Sequence, residues 1–320
     1  MKITDLHLFA AFFAAMALTV LAFMVQAPGV QAASIVQGDK VCLECHKAEH
    51  AVWSGTKHFK SYRTVHKDKK AKKIVKSIGG KSMKKEAACA LCHYTKVSKK
   101  AGKKARPVSG PSCESCHGAS SDWLKLHNDY GGPNAKMADE TPAHKAERIA
   151  KAAAAGMIWS SNHYGIVENC MSCHGLNNDA LDGKVLAAML EADHPLNADF
   201  ELVRYSQGTV RHRYYAPDAT KNAEMTAAQL SELFVEGQAA KLVSAVDAMT
   251  KSDNPKYQAA QKSRMEKARA ALEAVKTIPE VAALLAAPTR DNALKLVAAI
   301  EGKDMSAEVG AMIPAKADYK

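Results

Sequence analysis

Outside four short motifs this sequence contains no cysteine, and beyond residue 217 it contains neither cysteine nor histidine. Scattered half-cystines of a disulfide framework are therefore excluded, and site chemistry belongs to the first two thirds of the chain. Aromatic residues make up only 6%, which leaves 320 residues short of the bulky side chains that usually fill a core of that size. It also leaves a chain of net charge +11 without the interleaved aromatic platform expected of a nucleic-acid binder. After the first 33 residues no stretch is apolar enough to cross a membrane.

What is present is Cys-x-x-Cys-His, four times: Cys42, Cys45 and His46; Cys89, Cys92 and His93; Cys113, Cys116 and His117; Cys170, Cys173 and His174. Two thiols at that spacing can each add across one vinyl group of a haem, while the adjacent histidine is drawn under the ring to the iron. Zinc knuckles and disulfides also use paired cysteines, but neither requires a histidine directly after the second one. All 8 cysteines are used and none is left over. The expected cofactors are four covalently bound haem c groups, which would supply the apolar bulk that the aromatics do not.

Residues 1–32 read as a secretory signal: Lys2, an apolar run from Leu8 to Val25, and small residues at Val30-Gln31-Ala32-Ala33. The run is long enough to span a bilayer, so an uncleaved inner-membrane anchor is the alternative. Either way the motifs are expected in the periplasm, where haem is attached to cysteine. Removing the signal takes away Lys2 and Asp5 and leaves the net charge unchanged. A lysine-rich stretch runs from Val65 to Arg106 around the second motif, with Lys67, Lys69, Lys70, Lys72, Lys73 and Lys76 among its members. It reads either as a solvated face or as a collar that steers redox proteins with acidic docking faces.

The fold class expected is mainly α: short helices and loops around the haems over residues 33–216, then an Ala-rich helical module over 217–320. Gly79-Gly80, Pro107 to Pro111, Gly131-Gly132-Pro133 and Thr141-Pro142 interrupt the first part, where only Ala143 to Ala155 has the length of an ordinary helix. In the second part Thr226 caps a helix from Ala227 to about Met249, and Asn254-Pro255 opens another to about Thr277. Shorter ones follow from Pro279 and from Thr289 to Ile300. Packing or self-association is the role expected of this module.

Four irons need four proximal histidines, and His46, His93, His117 and His174 supply them. A second axial histidine closes an iron for electron transfer, and a missing one leaves a position for small ligands. His50 lies one helical turn from His46 and is too constrained to cross its own haem. His66 sits in the lysine run and His144 beside Lys145, so both read as solvated. His58, His127, His163 and His194 lie near aromatics or turns and remain as candidates.

Cys42-Leu43-Glu44-Cys45-His46-Lys47 with Trp53 and Thr56-Lys57-His58, then Cys113-Glu114-Ser115-Cys116-His117-Gly118 and Cys170-Met171-Ser172-Cys173-His174-Gly175, resemble the tetrahaem cytochrome c-554 family. The resemblance covers roughly residues 38 to 180. It implies that His58 reaches the third haem, His127 closes the first and His163 the fourth, with haems packed in close pairs. For the second haem the family pattern implies an open iron. Here the sequence departs, because His194-Pro195 followed by Phe200-Glu201-Leu202 is similar to a stretch of related multihaem cytochromes. His194 is the first candidate for that iron and His212 the second, with an open iron the remaining reading.

Three functions follow. The first is a periplasmic electron relay in respiration, exchanging electrons with redox proteins or a membrane quinol oxidase. The second is a reductase of a small nitrogen or sulfur species at an open second haem, with Lys96, Tyr94 or His212 as proton source. The sequence has no Cys-x-x-Cys-Lys motif, which counts against this enzyme reading. The third is a scaffold that recruits partners through the helical module. A chain cut near Pro217 is expected to keep its redox spectrum if it is a relay and to lose assembly if it is a scaffold.

Overall fold

The computed structural model describes residues 34–98, 102–212 and 221–320. The expected signal and its alternative as an anchor lie outside the described residues, as do Lys99 and Lys100. Through the motif region the helices are α1 Asp39–Leu43, α2 Lys47–Gly55, α3 Lys57–Thr64, α4 Lys69–Ser77, α5 Ala87–His93 and α6 Cys113–His117. They are followed by α7 Pro142–Ala154, α8 His163–His174, α9 Gly183–Glu191 and α10 Leu202–Ser206. Strands β1 Thr95–Val97 and β2 Arg106–Ser109 pair antiparallel and make the one sheet among the described residues.

Caps explain why the helices are short. Thr56 is extended, ends α2 and starts α3, where its hydroxyl accepts from the Phe59 amide. Asp68 accepts from the amides of Lys70 and Ala71 at the start of α4. Gly79, at φ +75°, sits just past its end, where a left-handed residue is needed.

The C-terminal helices are α11 Ala227–Ala248, α12 Pro255–Glu273, α13 Glu280–Ala286, α14 Arg290–Ile300 and α15 Ser306–Val309. Thr226 and Gln229 cap α11 reciprocally. Asn254 caps α12 by accepting from the amides of Lys256 and Tyr257. α12 ends four residues before the Thr277 expected from the sequence. Beyond it, the Glu308 carboxylate takes the amides of Lys276 and Thr277, which a continuing helix would have used.

α11 is buried nearly all round, from Leu233 through Ala240 and again at Leu242, Ser244 and Ala245. Its core partners include Tyr164, Val167 and Met171 of α8 and Leu202 and Val203 of α10. A second core joins Ile74 of α4 and Leu186, Met189 and Leu190 of α9 to Ala248 and to Tyr257 of α12. Residues 35–320 are accordingly one compact unit. The compositional change at residue 217 does not separate two cores, since α11 and α12 form the wall against which the last motif packs.

Candidate haem sites

Each motif ends a helix or follows one, so its thiols and histidine emerge together. Cys42 is in α1, with His46 just before α2; the second motif closes α5, the third forms α6, and the fourth closes α8. The first and third motifs are tied by Glu114, the residue after Cys113. Its buried carboxylate accepts from the amides of Gln37, Gly38 and Ser120 and from the Ser120 hydroxyl. The Trp53 indole donates to Pro111 O at 2.8 Å, fixing α2 to the loop before the third motif. Asn169 Nδ2 donates to Cys116 O at 3.0 Å, which ties α8 to the third motif. The Cys42 thiol meets that of Cys113, and Cys92 meets Cys173. The motifs thus associate first with third and second with fourth.

The proximal histidines each face another imidazole. Ring centroids are 6.2 Å apart for His46 and His127, 6.2 Å for His93 and His194, 6.3 Å for His117 and His212, and 6.0 Å for His174 and His58. Metal to imidazole-nitrogen bonds run about 2 Å, so an iron between two rings, with each nitrogen about 1 Å from its ring centre, sets the centroids about 6 Å apart. All four pairs meet that separation, and the residues present fit haem. The Trp123 indole nitrogen, beside His127, and the Tyr94 hydroxyl, next in sequence to His93, are buried without a partner. Both are donors suited to the carboxylates that haem carries.

The electrostatics favour neutral rings. Burial, then the neighbouring imidazoles, pushes both His93 and His174 down to about 4. Burial also lowers His58, His117, His127 and His194. In three of these the Nδ1 lies within 3.0 Å of a backbone carbonyl: Ile158 O for His117, Leu124 O for His127 and Pro195 O for His194. Donation from Nδ1 leaves Nε2 with its lone pair, the form a metal takes.

Two of the expected placements differ. His58 faces His174 of the fourth motif and not His117 of the third, because α3 packs beside α5 and brings His58 close to both His93 and His174. His163 faces no proximal histidine. It opens the same helix that ends in His174, and its Nδ1 lies 3.0 Å from the buried Glu236 carboxylate of α11. The third motif is instead faced by His212, which the sequence had suggested only for the second iron. His127 faces His46, and His194 faces His93. His50 lies on Asp39 and His144 on Glu140.

A helical chain whose Cys-x-x-Cys-His motifs each present a histidine to a second imidazole belongs to the class of c-type cytochromes with covalent haem. Residues 41–118 match the family described as Cytochrome c554 and c-prime. The chain is also similar to cytochrome c-554 of Nitrosomonas europaea, with 28% identity over 144 residues that cover 43% of this chain and 57% of that protein. By these matches the chain is similar to the cytochrome c554 family over part of its length. The match spans little more than half the length of that relative. No solved structure matches.

Proposed function

We propose that this chain is a tetrahaem electron relay of the periplasm, with haem bound at all four motifs and every iron closed by two histidines. The proximal ligands are His46, His93, His117 and His174; the distal ligands are His127, His194, His212 and His58 in that order. Haem supplies one-electron redox chemistry, and the chain sets ligand identity, burial and nearby charge. The observation that carries this reading is the common 6.0–6.3 Å separation of the four imidazole pairs. The second pair matters most, since a reductase would need that iron open and His93 has His194 opposite it.

The thiol contacts support haems in two close couples, first with third and second with fourth, with Asn169 bridging the third and fourth motifs. The lysine face of α4 offers the entry for a redox partner in respiration. Lys69, Lys70, Lys72, Lys73 and Lys76 are exposed, while Ile74 and Val75 are buried on the opposite side. Lys70 lies close enough to bear on His194. An acidic partner steered there would meet the second haem first.

The test is the purified holoprotein: the haem to chain ratio, then carbon monoxide uptake after reduction. Four haems and no bound carbon monoxide is the expected result. Uptake of one carbon monoxide per chain would favour the reductase.

A further inference from the structure

Arg264, on α12, is among the largest fully buried side chains of the molecule, only 2% exposed, and it has no acid beside it. Its Nη1 donates to Gln261 Oε1 at 2.5 Å, and its Nη2 lies 3.1 Å from Ser244 Oγ and 3.0 Å from Met171 Sδ; Nε has no partner. Every one of these partners is neutral. Among the described residues no carboxylate lies within ion-pair distance. Glu201, the nearby buried acid, is engaged by the amides of Val203 and Arg204. The other buried cation of the region, Lys241, adds to the positive charge and is pushed down to about 8 by burial and then by Arg264.

An unpaired buried cation normally costs several kcal/mol, so its place needs a reason. That place is the fourth motif. Met171 lies between Cys170 and Cys173, and Gly175, which follows His174, receives Gln261 Nε2 at 2.9 Å and Arg264 Nη1 at 3.5 Å on its carbonyl. A Cβ at Gly175 would stand 2.6 Å from Arg264 Nη2. Burial lowers the guanidinium only to about 10, so it is charged at neutral pH.

We propose that Arg264 is the potential-setting residue of the fourth haem site, its unpaired charge under the Cys170–His174 turn holding that iron's reduction potential high. Reduction of a ferric iron by one electron from a donor protein removes one positive charge from the site. A fixed cation in a low-dielectric surround favours the reduced state, and among the described residues no side-chain carboxylate pairs with it. The fourth haem then serves as the electron sink of the relay. The inference rests on the tetrahaem reading.

The experiment is a spectroelectrochemical titration of wild type, Arg264→Met, Arg264→Lys and Ser244→Asp, each first counted for haem. In Arg264→Met, one of the four one-electron steps is expected to fall by about 59 mV or more, a tenfold drop in the ferrous to ferric ratio at fixed poise. Arg264→Lys keeps the wild-type step. Ser244→Asp, which leaves the arginine in place and sets a carboxylate against it, lowers the same step and serves if the methionine variant does not assemble. Four haems with every step unmoved, or an equal fall in the lysine variant, overturns the proposal. Fewer than four haems in the wild type overturns the tetrahaem reading itself.

Discussion

A histidine on the same helix as its motif cannot reach across that motif's iron. His163 and His174 are eleven residues apart on α8, about 16 Å along the axis at 1.5 Å per residue, whereas the facing pairs stand 6.0–6.3 Å apart. The constraint applies to His163 as it does to His50, but only the structure shows one helix running from His163 to His174, where the sequence suggested no helix of that length and the family resemblance pointed the other way. Glu236, the partner His163 does have, is 73 residues away on α11 and gave no local signal. His212→Ala is therefore expected to open one iron, so that the reduced protein binds one carbon monoxide per chain. His163→Ala should bind none and lose about 1.5–3 kcal/mol of stability, the usual worth of a hydrogen bond to a charged group. A denaturant titration beside the carbon monoxide assay separates the two.

Glu140 is the other residue with a readable consequence. Its carboxylate grips Arg148 in a two-point fork, and Arg148 in turn donates to the His127 carbonyl. The Arg148 hydrogen bond, with His144 beside it, holds Glu140 down to about 2, below its ordinary value of 4.5. A carboxyl depressed by folding stabilises the native state above its unfolded value, and that contribution fades as pH falls toward 2. The melting temperature of Glu140→Gln should thus lie below wild type at pH 7 and converge with it on acidification. A gap that persists at the acid end would contradict this.

At the scale of elements, helix starts were legible because they rest on local chemistry: Thr226, Asn254 and Thr289 cap the helices expected of them. Helix ends were less so. α12 stops where Glu308, more than thirty residues further on, captures the amides of Lys276 and Thr277, and nothing near Glu273 announces it. The crossing of α10 over α11 is set by Gly237, where an added Cβ would come within 2.8 Å of Leu202 Cβ. Gly237→Ala should gain about 1 kcal/mol of helix propensity and lose about 1–3 kcal/mol to overpacking. Net destabilisation in urea is the expected sign.

Over the whole molecule, the four Cys-x-x-Cys-His motifs could be read residue by residue, because each is contiguous. The facing histidines could be read only in part: His127 and His194 were named for the first and second sites, but only the folded chain brings His212 to His117 and His58 to His174. Composition marks off the C-terminal helices as a module, yet they share the core of α8 and supply Glu236 and Arg264. A chain cut near Pro217 would expose Tyr164, Val167 and Met171, and it is expected to fail as a stable four-haem protein whether relay or scaffold. Limited expression with haem counting checks this. Charge reversal on α4, such as Lys70→Glu with Lys73→Glu, should slow electron exchange with an acidic partner at low salt, and the difference should shrink as ionic strength rises.

Two imidazoles on every iron is the claim beneath all of this, and electron paramagnetic resonance of the fully oxidised holoprotein tests it most directly. Signals that account for four irons per chain, all low-spin, are the expected result. A high-spin ferric signal amounting to one iron per chain would contradict it.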